Sequence, residues 1–173
     1  LLFEPRMTGL VLVADPPSQQ HVRFRLEFSH GEKEVLYWDR RGLGMIYLLN
    51  DQQYQDRFSL KNLGPDALEV TGKLLKEIFG KSKRPVKVAL LDQKKVAGIG
   101  NLYASEILFV AAIHPAKQCN RITMSQWDLI AETTIEILQT AIEHEGSTLS
   151  DGTYRNALND PGGYQNMHRV YDK

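Results

Sequence analysis

The sequence predicts an α+β protein in which the remnant of an antiparallel β-sandwich or barrel is followed by a helical domain. Two patterns in the 173 residues predict this order. Up to about residue 50, apolar and polar residues alternate with the period of two that half-buried strands show. From about Gly64 onward, the apolar residues recur every three or four positions, as they do on the buried side of a helix.

Four strands are predicted in the first part, each ended by turn-forming residues. They cover residues 9–13, 21–28, 34–38 and 45–49. Pro16-Pro17-Ser18 separates the first pair, and the loop Arg40–Gly44, with its two glycines, separates the last pair. Because the chain starts at Leu1 as if within a strand and stops at Lys173 without a cap, we expect it to be a piece of a longer polypeptide.

Four amphipathic helices are predicted in the second part. They cover residues 65–79, about 84–93, 101 to about 112, and 123–146. The last of them begins with Thr123-Met124-Ser125-Gln126, which has the pattern of a capping box, and we expect Gly146 to stop it. Trp38 and Trp127 are predicted to lie in the core.

These elements predict four regions along the chain. They are a partial β-sandwich domain at 1–50, a linker at 51–63, a helical domain at 64–146 and a final segment at 147–173. The final segment is polar and contains several glycines, which in a compact domain is typical of a functional lid.

Composition excludes several classes of protein. No apolar run approaches the roughly 20 residues that span a bilayer, and the first residues lack the layout of a signal peptide, so we expect a cytoplasmic protein without a membrane partner. The single cysteine, Cys119, excludes an intramolecular disulfide and, by itself, a cysteine-rich zinc site. We interpret Cys119 as an incidental thiol near a loop.

The charges are balanced in number but not in position. Lys plus Arg equals Asp plus Glu, at 21 each. Between Lys81 and Lys95, however, there are six cations and only one anion, whereas Thr123–Gly146 holds five acidic residues and no Lys or Arg. This distribution indicates one anionic partner bound on one face.

The segment Gly98-Ile99-Gly100-Asn101 carries the strongest functional signal. Glycines permit close approach and unusual backbone angles between two helices, and Asn101 is a good residue for the start of the second. The free N–H groups and positive end of that helix would form a phosphate site, with Lys87, Lys94 and Lys95 around it. We therefore predict that the segment captures a nucleic-acid backbone.

The run Leu90–Pro115, which contains Gly98-Ile99-Gly100-Asn101-Leu102-Tyr103-Ala104-Ser105-Glu106, resembles the helix-two-turn-helix motif of the formamidopyrimidine-DNA glycosylase and endonuclease VIII family. Three further segments extend the resemblance. Arg6–Gly9 is similar to the turn that presents a wedge Met, and Asp39–Gly44 is similar to the intercalation loop. Pro161–Tyr171 is similar to the segment around the lesion-recognition loop.

The resemblance gives roles to individual residues. Asn101 and Lys87, and with less support Lys83 and His21, would bind DNA phosphates. The gap left by a flipped nucleotide would be filled by Met7, Arg41 and Leu43. Leu43 departs from the Phe that is common in the family. Tyr103 and Glu106 are expected to orient the helix rather than to touch substrate.

The activity implied by the resemblance is base excision repair. The full-length protein would be a glycosylase and AP lyase that flips oxidised bases out of damaged double-stranded DNA, as a monomer and, in a prokaryote, in association with the nucleoid. The family's proline nucleophile, its neighbouring Glu, its hairpin Lys and its four-cysteine zinc finger have no counterpart in these residues. We therefore expect the chain to bind DNA but to be inert, with no catalytic residue and no cofactor of its own, and with zinc implied only for the full-length protein.

Two other functions stay open at this point. One is a non-catalytic helix-two-turn-helix nucleic-acid-binding module, although such a module has no need of wedge loops beside a β-sandwich. The other is a protein-interaction domain whose cationic segment binds an acidic partner. Competition by short duplex DNA would separate them. The preferred lesion and the preferred opposite base are not predicted.

Overall fold

The computed structural model describes residues 1–29, 34–59 and 62–171. The chain folds as two compact units. The first consists of Leu1–Asn50 with Ala141–Asn166, and the second of Asp51–Thr140 with Met167–Lys173. The protein is therefore a mixture of helices and small antiparallel sheets, in agreement with the α+β prediction.

The described residues of the first unit form five short strands. They are β1 (Leu2–Glu4), β2 (Gly9–Leu12), β3 (Val22–Glu27), β4 (Glu34–Asp39) and β5 (Met45–Tyr47). All pairings are antiparallel, with β1 beside β5 in one sheet and the order β2-β4-β3 in the other. The four predicted strands are confirmed, and their ends agree within two residues.

A small apolar cluster supports the three-stranded sheet. Leu10 of β2 pairs with Trp38 of β4, and their side chains are buried with those of Leu12 and Leu36. Val22 of β3 packs against the same cluster. Trp38 therefore lies in the core, as predicted.

The second unit is helical. Its helices are α1 (Asp51–Arg57), α2 (Gly72–Phe79), α3 (Val86–Leu90), α4 (Asn101–Val110) and α5 (Met124–Glu143), the last of which ends in residues counted with the first unit. Trp127 is buried and stacks on Phe79, with 6.1 Å between ring centroids. The segment predicted as a linker thus contains helix α1.

The predicted helix at 65–79 is wrong in its first half. The Asp66 carboxylate accepts a hydrogen bond from the backbone N–H of Leu68 and caps a short 3-10 turn at Ala67–Glu69. Val70 is extended and buried, and the Thr71 hydroxyl caps a new helix by accepting from the Leu74 N–H at 3.2 Å. Capping by the Asp66 and Thr71 side chains therefore divides the predicted helix into a 3-10 turn and a shorter α-helix.

The second predicted helix is also too long. It was expected at about 84–93, but α3 has only five residues, Val86–Leu90. Asp92 then forms a turn, because its carboxylate accepts from the Lys94 N–H and its carbonyl accepts from the Lys95 N–H.

The end of α5 and the residues after it, up to Asn166, belong to the first unit. Gly146 adopts φ +79° and donates its N–H to the Ala141 carbonyl, which terminates the helix as predicted. Thr148 then accepts from the Gly162 N–H and donates to the Tyr154 carbonyl. The first part of the predicted lid segment, residues 148–162, thus contains hydrogen bonds within itself. Among the described residues, no helix is both long and apolar enough to cross a membrane.

Candidate nucleic-acid interface

The start of helix α4 faces solvent. Gly98 has φ +104°, and the N-cap residue is Gly100, which has no side chain to occupy the N–H groups of the first turn. Gly98, Gly100 and Asn101 are exposed, whereas Ile99 is buried and anchors the turn. The first turn of α4 contains no acidic residue. The positive end of a ten-residue helix is therefore available to an anion.

Space at Gly100 supports the same conclusion. A Cβ added there would meet no atom within 4 Å, so neighbouring protein does not require a glycine at this position. Its φ of −95° is also open to any residue. The space beside Gly100 is therefore open, and because glycine has no side chain, a ligand can approach the backbone closely there.

Gln93 fixes this turn, a role that the sequence pattern does not predict. The side-chain Oε1 accepts from the Gly98 N–H at 2.9 Å, and Nε2 donates to the Ile99 carbonyl at 2.8 Å. One amide thus satisfies a donor and an acceptor on successive residues of the loop. A glutamine shortly before a glycine pair is the only sequence signal, and it is too common to be specific.

The cationic segment, Lys81–Lys95, contains one arginine in an ion pair and five lysines. Arg84 is paired with Asp92, the one anion in the segment, at 3.2 Å. The segment's other cations are Lys81, Lys83, Lys87, Lys94 and Lys95. Among the described residues, none of these five forms an ion pair, and all but Lys87 are exposed.

Lys87 lies beside helix α4. Its backbone N–H donates to the Pro115 carbonyl at 3.2 Å, and its side chain lines a mainly apolar groove with Ser105 and Phe109. Ser105 in turn donates its hydroxyl to the Asn101 carbonyl at 2.9 Å. Lys87 and Asn101, both predicted to bind phosphates, are therefore brought to the same side of α4.

The Asn101 side chain has one protein partner, Tyr171, among the described residues. Asn101 Nδ2 lies 3.4 Å from the Tyr171 hydroxyl. The backbone at Tyr171 is held by Glu106, a fully buried residue of α4 whose carboxylate accepts the N–H groups of Arg169, Val170 and Tyr171 at 2.7 to 3.0 Å. Burial alone would raise the pKa of Glu106, but these three hydrogen bonds and the charge of His168 hold it below its ordinary value.

In the first unit, the three predicted wedge residues lie on two neighbouring loops. Met7 is 71% exposed and Leu43 is 52% exposed, which is unusual for apolar side chains of this size, and Arg41 is also exposed. Met7 precedes β2, and the other two lie between β4 and β5. The loops therefore present two apolar groups and one cation to solvent.

Asp39, at the end of β4, joins these loops, a role that the sequence pattern does not predict. Its buried carboxylate accepts from the Thr8 hydroxyl at 2.5 Å, from the Arg41 N–H at 3.2 Å and from the Gly44 N–H at 2.8 Å. Burial would raise the pKa of Asp39, but the hydrogen bond from Thr8 and those from the backbone of Gly44, Gly42 and Arg41 hold it below its ordinary value.

Glycines allow the loops to close around Tyr37. A Cβ on Gly44 would come within 1.5 Å of the Tyr37 hydroxyl, and one on Gly9 would come within 2.5 Å. The Tyr37 ring is buried, and burial together with the charge of Asp39 raises its pKa. Close packing around this hydroxyl fixes the base of the two loops.

The two weaker phosphate candidates have fewer contacts. The His21 ring packs edge-on against Trp38, with 5.5 Å between centroids, and is half-buried. Lys83 is exposed between α2 and α3. The roles of Lys83 and His21 at DNA stay predictions.

The zinc implied by the resemblance does not fit the residues present. Cys119 is the only cysteine, and it is buried, with burial raising its pKa. Among the described residues, no group of three or more His, Cys, Asp or Glu side chains is placed to hold a metal ion. We therefore assign no step to a metal.

Comparison with known proteins identifies the family. The family model of the formamidopyrimidine-DNA glycosylase H2TH domain matches residues 63–153 of the sequence, which is more than half of the chain. The chain belongs to this family. The matched range includes α2 to α5 and therefore the Gly98–Asn101 turn.

Relatives cover nearly the whole chain. The formamidopyrimidine-DNA glycosylase of Streptococcus agalactiae is 37% identical over 97% of this chain, and that of Bacillus cereus is 34% identical over 97%. A solved complex between the Lactococcus lactis Fpg and DNA containing an abasic site superimposes with a TM-score of 0.86, at 34% identity and over 99% of this chain. The chain spans 61% to 63% of the length of these three relatives.

Proposed function

We propose that the chain supplies the DNA-binding part of a base-excision-repair glycosylase that acts on damaged double-stranded DNA. The observation that carries the proposal is the exposed start of α4, where Asn101 and the backbone after Gly100 face solvent without an acidic neighbour in the first turn. Membership of the H2TH family supports it, as does the similarity to the Lactococcus lactis Fpg, which was solved with abasic-site DNA.

At this site the chemistry is phosphate capture. Backbone N–H groups at the helix start donate to phosphate oxygens, and the Asn101 amide adds a side-chain donor. Lys87, on the same side of α4, contributes charge, and the exposed lysines of the segment extend the positive field. Because these contacts go to the backbone of DNA, they set position and affinity rather than sequence preference.

The wedge loops would act on the bases. Extruding a nucleotide costs a few kcal/mol of stacking and pairing, and apolar side chains that enter the gap offset part of that cost. Met7 and Leu43 are exposed and apolar, and Arg41 can donate hydrogen bonds to the unpaired base opposite. Leu43 in place of Phe supplies bulk without ring stacking.

We extend the proposal to the fold, to the DNA-binding motif and to the activity of the whole protein. We propose that its sheets are part of an antiparallel β-sandwich, that residues 90–115 act as a helix-two-turn-helix motif, and that the full-length protein is a glycosylase and AP lyase. The 173 residues themselves are proposed to bind DNA without forming an imine to it. Borohydride trapping on duplex containing 8-oxoguanine tests that last point, and a covalent adduct would contradict it.

DNA binding is tested by titrating a fluorescent duplex that contains an abasic-site analogue. We expect affinity to fall steeply with salt, because each phosphate neutralised adds roughly −0.9 to the slope of log K against log salt. Asn101→Ala should weaken binding about tenfold, as expected for a hydrogen bond to a charged group. Asn120→Ala, at an exposed residue of the same unit, is the matched control. Binding that is independent of salt would overturn the proposal.

A further inference from the structure

Glu106 has an arrangement that helix packing alone does not require. Its side chain is fully buried, and three consecutive backbone N–H groups converge on one carboxylate. The donors are 63 to 65 residues further along the chain. A buried carboxylate is costly unless it is fully hydrogen-bonded, so this cluster strongly favours one placement of residues 169–171.

That placement determines where the Tyr171 side chain lies. The Tyr171 N–H makes the shortest of the three bonds, at 2.7 Å, and the ring packs edge-on against His168 with 6.0 Å between centroids. With backbone and ring both fixed, the hydroxyl is held 3.4 Å from Asn101 Nδ2. The exposed Asn101 side chain would otherwise be free to rotate.

We propose that Glu106 is a positioning residue for DNA binding, acting on Asn101 through Tyr171. The Asn101 amide nitrogen carries two hydrogens, of which one is directed at the Tyr171 hydroxyl and the other stays available for a phosphate oxygen. Fixing the amide before DNA arrives removes the entropy cost of ordering it on binding. This inference rests on the proposed function and names the residues that prepare its site.

A double-mutant cycle tests the link from Tyr171 to Asn101. Tyr171→Phe removes only the hydroxyl and leaves the buried carboxylate satisfied. We expect it to weaken binding to an abasic-site duplex about threefold in the parent chain and to have no effect when Asn101 is already Ala. If Tyr171→Phe weakens binding equally in both backgrounds, the hydroxyl acts independently of Asn101 and the inference is overturned.

Glu106→Gln tests the first step of the same chain of contacts. The variant replaces one acceptor oxygen by a donor, so the amides of residues 169–171 should lose hydrogen-exchange protection. Binding should weaken about threefold, as in Tyr171→Phe, and only while Asn101 is present. Glu132→Gln, the same change at an exposed residue of α5, is the control and should alter neither measurement. Unchanged protection or unchanged binding in Glu106→Gln would overturn the inference.

The outcomes separate this inference from the proposed function. If Asn101→Ala binds DNA as well as the parent chain does, the phosphate site itself is wrong and both fail. If Asn101→Ala weakens binding while Glu106→Gln and Tyr171→Phe do not, the proposed function stands and only the positioning role is lost. Should Glu106→Gln fail to fold, the Tyr171→Phe cycle decides by itself.

Discussion

Asp39 and Glu106 are both buried carboxylates that gather backbone N–H groups, but they do so over very different distances along the chain. Two of the Asp39 donors, Arg41 and Gly44, lie two and five residues away. All three Glu106 donors lie more than sixty residues away. The first carboxylate shapes a local loop, and the second fastens a distant segment to a helix.

This difference explains what each carboxylate can control. Asp39 sets the internal shape of the loop that carries Arg41 and Leu43, and its bond to Thr8 ties that loop to the Met7 turn. Glu106 leaves the shape of α4 unchanged and instead supplies α4 with a partner for Asn101. Loss of Asp39 should therefore damage folding of the loops, whereas loss of Glu106 should damage binding as well as stability.

The largest expected effect is that of Asp39→Asn on stability. The new amide nitrogen would face an N–H group that previously donated to the carboxylate, so we expect unfolding to become easier by about 3 kcal/mol. Denaturant titration measures the change, and Glu27→Gln, at an exposed position of β3, is the control. A loss no larger than that of the control would show that the loops do not depend on Asp39.

Gly44→Ala should have a somewhat smaller effect, about 2 kcal/mol, because its Cβ would overlap the Tyr37 hydroxyl and the loop would have to shift. The matched control is an alanine at Gly100, at the start of α4. Gly100→Ala meets no atom within 4 Å and should change stability by less than about 1 kcal/mol, the cost of a poorer N-cap residue. Equal destabilisation by the two alanines would contradict the close packing described around Tyr37.

Low pH should reduce the stability that the Asp39 and Glu106 carboxylates contribute. The pKa values of Asp39 and Glu106 lie below the ordinary 3.8 and 4.5, so each carboxylate stabilises the fold fully above those values. That contribution disappears as pH falls through the lowered pKa. We expect the free energy of unfolding to decrease below about pH 4.5, and to decrease less steeply in Glu106→Gln. An identical slope in parent and variant would contradict the assignment.

The smallest effects on stability are expected at the exposed residues that would meet DNA. Lys87→Ala should weaken binding to all sequences alike and reduce the salt slope by about 1, whereas Arg41→Ala should change the preference for the base opposite the lesion. Binding titrations against the four opposite bases measure both. If Lys87→Ala altered base preference, the division between phosphate contacts and base contacts would be wrong.

Local patterns in the sequence predicted much of this structure. The capping box is confirmed, because the Gln126 N–H donates to the Thr123 hydroxyl oxygen at 3.3 Å and Gln126 Oε1 accepts from the Thr123 N–H at 3.1 Å. The exposed turn at Gly98–Asn101 was predicted from residues adjacent in sequence. The break at Thr71 was missed, although a threonine three residues before Leu74 is a normal N-cap signal.

Long-range contacts could not be predicted in the same way. Glu106 was expected to orient α4, but nothing in the sequence shows that its partners are the amides of residues 169–171. Backbone N–H groups carry no residue identity, so a carboxylate that binds them leaves no pattern at the partner positions. Asp39 was overlooked for a related reason, since two of its donors are also backbone groups.

The most direct test of the central claim is to follow backbone amide signals by NMR while an abasic-site duplex is added. We predict that the amides of Gly100, Asn101 and Leu102 shift and gain protection from exchange, because a phosphate group accepts their hydrogen bonds. Binding that leaves these three amides unchanged would show that DNA is held elsewhere and would contradict the account.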